Sequence, residues 1–250
     1  EFFVREQEAR AYEGEGLIVH PVDNKLTIAQ KRRAIFQVAA AKGCEWLFIA
    51  DDDIKLDVRR DDNNRLFRPM TSEEGVHFLS DHMAICGKRY PLVHPVLRMH
   101  ADKRKYMYEK NCPALRFVCY HVPTFVKEGV DIAGLGTAFM SDRYAQLFML
   151  SRGYNSIGLA QYCVDDTGTN AKGGCSEYRT PELQSEAAKR LAGAFPDNVS
   201  LRVKQGTGAW KDKRLDVTIQ WKKFLQDDEL PYVPKEEMKE YIAKRRHYDK

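Results

Sequence analysis

Short apolar runs alternate with stretches of helical periodicity in the first part of the chain. The sequences GLIVHPV (residues 16–22) and WLFIA (residues 46–50) are mainly apolar runs of strand length. Between them, Thr27 and Gln30 have the spacing of a capping box, and apolar residues follow at helical spacing until Gly43. Strand, helix and strand with short links form a βαβ unit, so the pattern predicts a parallel sheet with a right-handed crossover.

The middle of the chain continues the alternation of helices and strands. Thr71 and Glu74 form a second capping box at the start of a helix. The sequence LRFVCYHV (residues 115–122) is typical of a strand. Residues 131–143 predict a glycine-containing loop, which leads into a helix that ends at Gly153.

The last third of the chain predicts a loop, a helix, a hairpin and a basic tail. Residues 163–175 are rich in turn formers and predict a loop throughout. Thr180, followed by proline, predicts a helix start. Apolar and polar residues alternate in RLDVTIQW (residues 214–221), which we expect to pair with SLRVKQ (residues 200–205) as a hairpin. From Pro234 on, the pattern predicts a polar helix that ends in basic residues.

These elements predict an α/β fold with a mostly parallel, Rossmann-like central sheet flanked by helices. We expect residues 1–180 to form the main domain. We expect residues 181–250 to pack on the same domain as a C-terminal helix, a β-hairpin and a basic helical tail.

Composition indicates a soluble globular protein. The chain has 250 residues, 43% of them hydrophobic and 30% charged, and no apolar run approaches the length of a membrane span. No secretory signal peptide is visible, and the first residue is Glu1, which leaves room for an upstream piece. The six cysteines are scattered without a C-x-x-C pair, which argues against a zinc ribbon and a disulfide scaffold. We therefore predict reduced thiols, a cytoplasmic location and no membrane partner.

Positive charge is concentrated in two stretches, although the net charge is only +4. Residues 83–110 and residues 201–225 each contain seven lysines and arginines against two acidic residues. Such a local excess suits a polyanionic partner, with a solvated surface as the alternative.

Three consecutive aspartates, Asp51, Asp52 and Asp53, directly follow the apolar run WLFIA. Ligands of open α/β sheets bind beyond the carboxyl ends of the strands, and clustered carboxylates favour Mg²⁺ or Mn²⁺ that bridges to phosphates. The triplet therefore predicts a metal site for a nucleotide or nucleotide-sugar, with an acidic turn as the alternative. An EF-hand does not fit, because its glycine and glutamate positions hold Leu56 and Asp62. The sequence also lacks the glycine-rich motifs of P-loop kinases and Rossmann dehydrogenases.

The helix before the aspartates is basic at its start. Lys31, Arg32 and Arg33 lie within its first two turns, where cations oppose the helix dipole. A bound anion such as a diphosphate would compensate for this charge. We therefore predict that the three residues bind the donor, with an exposed basic helix face as the alternative.

The segment TIAQKRRAIFQVAAAKGCEWLFIADDDI (residues 27–54) resembles the GT-A fold glycosyltransferases, in particular their family-2-like branch. In that branch a helix with a basic element precedes a strand that ends in a D-x-D motif. With GLGTAFMSDR (residues 134–143) and the region from GGCSEYRT to WKK, the chain is most similar to the TET-associated glycosyltransferases of bacteriophages, over residues 17–225. Those enzymes are thought to attach sugars to hydroxymethylated pyrimidines in phage DNA.

The resemblance implies a UDP-sugar as donor and Mn²⁺ or Mg²⁺ as cofactor. Asp53 would ligate the metal, Asp51 would contact the donor ribose or share the metal, and Asp52 would lie next to the donor. His247 is the candidate for the additional histidine ligand that many GT-A enzymes have, with a solvated side chain as the alternative. A phage-encoded enzyme of this kind would act in the cytoplasm of the host cell.

An inverting transferase also needs a general base that accepts the proton of the acceptor hydroxyl, whereas a retaining transferase would not need it, and the sequence leaves both open. Asp165 and Asp166 occupy the place of the family's acidic pair, which is usually Glu-Asp, so the choice between them is open. A turn rich in Asp, Thr and Gly is the alternative. Gly134 and Gly136 would let backbone amides approach the donor sugar or the acceptor closely, with an ordinary loop as the alternative.

An acceptor base in duplex DNA requires cations that contact phosphates and aromatic side chains that stack. Residues 87–108 combine both features, and so does the predicted hairpin loop around Trp210. Packing of this tryptophan under the hairpin is the alternative. The residues that we predict to contact nucleic acid are Lys88, Arg89, Arg104, Lys105, Trp210, Lys211, Lys213 and Arg214.

The sequence thus predicts a metal-dependent hexosyl- or pentosyltransferase. Its donor would be a UDP-sugar, and its acceptor would be a hydroxymethylated pyrimidine, such as 5-hydroxymethylcytosine, in double-stranded phage DNA. Two alternatives stay open: a transferase of the same fold with a polysaccharide or protein acceptor, and a non-enzymatic DNA-binding protein.

Overall fold

A mixed seven-stranded sheet forms the centre of the fold, and helices flank it. The computed structural model describes residues 2–12, 18–51, 53–60, 66–101, 107–166, 178–206 and 213–227. The strands are β1 (Phe2–Arg5), β2 (Val19–Val22), β3 (Trp46–Ala50), β4 (Ile54–Arg59), β5 (Phe67–Pro69), β6 (Leu92–Leu97), β7 (Tyr108–Lys110), β8 (Phe117–His121), β9 (Ile157–Asp166), β10 (Val199–Lys204) and β11 (Arg214–Ile219). The central sheet has the order β3-β8-β6-β9-β4-β5, with β7 also paired to β9.

Six α-helices connect or cover these strands in the described part of the chain. They are α1 (Ile28–Ala41), α2 (Ser72–Ile85), α3 (Arg98–Ala101), α4 (Val122–Lys127), α5 (Ser141–Ser151) and α6 (Pro181–Ala194). Two 3-10 segments occupy Glu6–Tyr12 and Trp221–Phe224. Within the ranges given above, no helix has both the length and the apolar character required to cross a bilayer.

The central sheet is mixed, whereas the sequence pattern predicted a mostly parallel one. Among the described strand pairs of this sheet, β6 and β9 are parallel and the other pairs are antiparallel. The strands on either side of α1 are not neighbours, because β2 pairs with β1 and β3 pairs with β8. Local periodicity predicts the type of each element but not its pairing partner. The partner of β3, for example, lies about 70 residues further along the chain.

The predicted loop at residues 163–175 is wrong at its beginning, because β9 continues to Asp166. Cys163 and Val164 are buried, and they pair with β4 on one side and with β6 on the other. Burial between two strands outweighs the turn propensity of the aspartates that follow. Residues 167–175 lie outside the described residues.

The predicted helix boundaries are confirmed where the sequence has capping signals. Thr27 and Gln30 form the capping box of α1, and Thr71 and Glu74 form that of α2. Thr180 accepts a hydrogen bond from a backbone N–H in the first turn of α6. Each cap satisfies backbone groups that the first helical turn leaves without partners.

Buried side chains cover both faces of the central sheet. Phe36 of α1 and Phe125 of α4 pack with Val118 on one face. Phe78 of α2 packs with Phe117 on the other face. Successive residues of β8 point to opposite faces, so the sheet lies between two helical layers.

A separate cluster joins the last elements to α5. Leu147 of α5 packs with Leu191 of α6, Val217 of β11 and Phe224. The β10–β11 hairpin is antiparallel, which confirms the predicted pairing of these two segments. The division of the chain at residue 180 stays a prediction.

Candidate active site

Two groups of aspartates that are distant in the sequence lie at one edge of the central sheet. Asp51 and Asp53 directly follow the end of β3. β4 begins at the next residue and pairs with the end of β9, so that Asp166 and Asp165 lie opposite its first two residues. The candidate metal-binding segment and the candidate base segment are therefore neighbours in the fold.

Asp51 is held by two arginines. Arg32 Nη2 donates a hydrogen bond to Asp51 Oδ1 over 2.8 Å. Arg116 Nη1 donates to Asp51 Oδ2 over 3.1 Å. Each carboxylate oxygen thus has a guanidinium partner, and the protein itself supplies cations that compensate for the charge of the aspartates.

Arg32 is 8% exposed and connects three parts of the fold. Besides Asp51, its Nη1 donates to Ser141 Oγ over 3.4 Å and lies 3.7 Å from Asp142 Oδ2. Burial by itself would lower the pKa of Arg32, but the charges of Asp142 and Asp51 outweigh burial and hold its pKa above the usual value. A buried charge without a partner is strongly destabilising. The pairs of Arg32 with Asp51 and Asp142 therefore stabilise the contacts of α1 with the end of β3 and with the start of α5.

Arg116 is a site residue that the sequence reasoning missed. Its φ of 71° lies in the left-handed region, which is uncommon for a residue with a side chain. Its carbonyl oxygen accepts a hydrogen bond from the Asp51 N–H over 2.8 Å, and its Nη1 lies 3.7 Å from Asp53 Oδ1. No motif in the sequence marks this residue, because its role depends on the antiparallel pairing of β3 with β8.

Asp53 has the more accessible carboxylate, with 38% of its side chain exposed against 18% for Asp51. Mg²⁺ is commonly bound through one or two carboxylates, together with phosphate oxygens and water. Asp53 fits such a site, whereas Asp51 fits better as the anchor of two guanidiniums. Across the described ranges, no group of three or more His, Cys, Asp and Glu side chains is arranged to bind a metal. Asp52 and His247 lie outside these ranges.

Asp165 is exposed near the end of β9, and its charge acts on Asp57, which forms a second charged pair with Arg98. Asp57 Oδ2 lies 3.7 Å from Arg98 Nε. Burial raises the pKa of Asp57, the charge of Arg98 lowers it, and the charge of Asp165 raises it further. For Asp166 the structure describes the backbone position only. The sequence reasoning did not include the pair of Asp57 and Arg98.

The three basic residues of α1 have different surroundings. Arg32 is committed to Asp51, as described above. Arg33 forms a bidentate pair with Asp131, with distances of 2.7 Å from Nε and 2.5 Å from Nη2. Lys31 is half-buried. Two of the three cations are thus compensated by carboxylates of the protein, and their contact with a donor stays a prediction.

The two predicted donor-contacting glycines have structural roles of their own. The Gly134 N–H donates to the Asp131 carbonyl, and a Cβ at Gly134 would lie 2.9 Å from that oxygen and 3.0 Å from the Tyr144 hydroxyl. Gly136 has a φ of 68°, and its carbonyl accepts a hydrogen bond from Arg190. The loop itself therefore requires glycine at both positions.

Four of the predicted nucleic-acid contacts lie in the described part of the chain, and their role stays a prediction. Lys88 and Arg89 are exposed. The charge of Lys88 acts on His121, which pairs with Trp46, the first residue of β3. Asp51 follows the other end of that strand. Lys213 is exposed just before β11, and Arg214 begins that strand. The predicted contacts outside the described residues are Arg104, Lys105, Trp210 and Lys211.

No protein-family model, curated protein or solved structure matches this chain.

Proposed function

We propose that the chain is a metal-dependent glycosyltransferase with a GT-A-like fold. It moves a sugar from a UDP-sugar to hydroxymethylated pyrimidines, such as 5-hydroxymethylcytosine, in double-stranded phage DNA. The observation that carries the proposal is the register of β4 on β9, which makes the segment of Asp53 and the segment of Asp165 and Asp166 neighbours at one edge of the sheet. A transferase of this type needs a cation site for the leaving diphosphate beside a base for the acceptor.

The transfer needs one bond to form and one to break. The hydroxymethyl oxygen of the acceptor attacks the anomeric carbon of the sugar, and the bond from that carbon to the diphosphate breaks. The diphosphate leaves with the electron pair of that bond. The hydroxyl proton passes to the carboxylate of Asp165 or Asp166, and the exposure of Asp165 supports access from the acceptor side.

Fixed positive charge at the site supports the departure of the diphosphate. A metal held by Asp53 would neutralise the charge that grows on the leaving group. Arg116 is anchored by Asp51, so its guanidinium is oriented before the substrate arrives. Preorganised cations of this kind stabilise developing negative charge without further rearrangement.

The test is a transfer assay read by mass spectrometry of the nucleosides. Hydroxymethylcytosine DNA, hydroxymethyluracil DNA and unmodified DNA are each incubated with the protein, Mn²⁺ and a panel of UDP-sugars. We expect a hexose or pentose on hydroxymethylated DNA alone. Asp53→Ala and Asp165→Asn, or Asp166→Asn if that residue is the base, should each lower the rate by about 100-fold or more. Asp227→Asn, at an exposed carboxylate in the last described segment, is the matched control.

The other outcomes separate the alternatives. If no nucleoside gains mass with any donor, the DNA reaction is wrong for those donors. Release of UDP only with a polysaccharide or protein acceptor would support the transferase of the same fold with a different acceptor. DNA binding that Asp53→Ala leaves unchanged, with no UDP release for any acceptor, would support the non-enzymatic binding protein.

A further inference from the structure

The β10–β11 hairpin carries one buried carboxylate that is surrounded by cations. Asp216 of β11 is 6% exposed and lies directly opposite Arg202 of β10. Arg202 Nη2 lies 3.4 Å from Asp216 Oδ2, and Lys204 Nζ lies 3.8 Å from the same oxygen. Arg143 of α5 contacts the other carboxylate oxygen, with Nη1 3.4 Å from Asp216 Oδ1. We call Arg143, Arg202, Lys204 and Asp216 the hairpin cluster.

The hairpin cluster has more positive than negative charge. Three cations share one carboxylate, and about half of the side chains of Arg202 and Lys204 is exposed. Burial alone would raise the pKa of Asp216, but the Val217 N–H and the three cations outweigh it and hold its pKa below the usual value. Asp216 therefore stays ionised at neutral pH and orients the cations, whose excess charge faces solvent.

The hairpin cluster is continuous with the candidate active site. Arg143 follows Asp142, and Asp142 lies 3.7 Å from the guanidinium of Arg32, which binds Asp51. The contacts run from the end of β3 through the first turn of α5 to the hairpin. Arg202 and Lys204 are the solvent-exposed end of this chain of contacts.

We propose that the hairpin cluster binds the phosphate backbone of the DNA duplex that presents the acceptor base. The inference rests on the proposed function for its choice of partner and adds the surface that this partner contacts. Guanidinium and ammonium groups are the usual partners of backbone phosphates, and such contacts position a duplex without reading its sequence. The cluster thus places the duplex, while the aspartates act on the base.

Binding of an unmodified duplex tests the surface without requiring transfer. Fluorescence anisotropy of a short labelled duplex is measured from about 50 to about 200 mM salt. We expect Arg202→Gln with Lys204→Gln to weaken binding by about tenfold or more and to lower the salt slope by about two, since each phosphate contact contributes about 0.9. Lys204→Gln alone should lower the slope by about one. Both changed side chains are half-exposed, and thermal unfolding should show that the variants stay folded.

Lys42→Gln with Lys127→Gln is the matched control. It removes two charges from exposed lysines just after α1 and at the end of α4, away from the hairpin. Unchanged affinity and salt slope in the hairpin variants, or an equal loss in the control, would overturn the proposed surface. If the unmodified protein transfers sugar and the hairpin variants bind the duplex as tightly as it does, the proposed function holds and the proposed surface is wrong. If the hairpin variants bind the duplex more weakly but the unmodified protein transfers no sugar, the proposed surface is supported and the proposed function is wrong.

Discussion

Arg116 holds a positive charge at the point where a metal would approach the aspartates. Its Nη1 lies 3.1 Å from Asp51 Oδ2 and 3.7 Å from Asp53 Oδ1. Like charges a few ångströms apart near a protein surface repel by about 1 kcal/mol or more. We therefore expect Arg116→Gln to lower the dissociation constant for Mn²⁺ by about fivefold or more, as measured by calorimetry without donor or acceptor.

Arg33→Gln is the control for this measurement, because that guanidinium pairs with Asp131 instead of Asp51. It removes the same charge from the same region, and we expect it to change Mn²⁺ affinity little. Equal Mn²⁺ binding in Arg116→Gln would show that this arginine does not compete with the metal, and weaker binding would show that it supports the metal site. Loss of all Mn²⁺ binding in Asp53→Ala is expected in either case.

His82 is a buried residue that makes stability depend on pH. Its Nδ1 donates to the Phe78 carbonyl over 2.7 Å, and its Nε2 is buried without a hydrogen-bond partner among the described residues. Burial lowers its pKa to about 3, against the opposing effect of the Phe78 carbonyl and with a further lowering by His94. As the pH falls below about 6.5, the unfolded chain binds a proton that the folded protein does not. This difference therefore destabilises the fold between about pH 6.5 and about pH 3.

The expected slope is at most about 1.4 kcal/mol per pH unit for this one proton. Urea unfolding at several pH values between about 4 and about 7 measures it. In His82→Leu this component of the slope should be absent, although the variant has its own stability at neutral pH. The same pH slope in both proteins would show that His82 is not the responsible group.

At the scale of elements, replacing glycine by alanine should raise the free energy of unfolding at one position and lower it at another. Gly75 lies in α2, where a Cβ would meet no atom within 4 Å. Gly136 has a φ of 68°, and its Cβ would lie 3.0 Å from Arg190 Nη1. We expect Gly75→Ala to stabilise the protein by about 0.5–1 kcal/mol and Gly136→Ala to destabilise it by about 1 kcal/mol or more, measured by urea unfolding. Destabilisation by Gly75→Ala would contradict the helical environment described for this position.

Local signals allowed the capped helices α1, α2 and α6 and the pairing of β10 with β11 to be predicted, whereas the pairing of strands distant in the sequence could not be. The capping boxes at Thr27 and Thr71 involve side chains three residues apart, so the sequence alone contains them. The partner of β3 is β8, and its choice depends on contacts between distant segments. The same limit explains β9, where burial between β4 and β6 extends a strand through residues that favour turns.

At the scale of the whole molecule, some residues of the candidate site could be predicted from the sequence, and others are brought to it only by the fold. The aspartates after β3 could be predicted, because an apolar strand that ends in carboxylates is a local pattern. Arg116 and Asp142 could not, because they reach the site through the antiparallel sheet and the start of α5. The predicted basic helix gave Arg32, whose pairing with Asp51 depends on the fold, and its contact with a donor stays a prediction.

Ligand binding at the sheet edge should stabilise the whole fold, because a ligand that binds only the folded state shifts the unfolding equilibrium. At about 100 times its dissociation constant, such a ligand contributes about 2.7 kcal/mol. For a chain of 250 residues this corresponds to a rise in Tm of about 5–10 °C. We expect UDP with Mn²⁺ to produce this rise and UDP with EDTA to produce a smaller one.

Asp53→Asn should remove the effect of Mn²⁺ on Tm, while Asp227→Asn keeps it. The carboxylate of Asp53 is the accessible one beside Arg116, and its amide would bind a hard cation far more weakly. Duplex binding should survive in Asp53→Asn, because the hairpin cluster lies on other elements. If UDP with Mn²⁺ raises Tm equally in Asp53→Asn and in the unmodified protein, the metal binds elsewhere in the chain. The proposed mechanism, in which Asp53 holds the metal, would then be wrong.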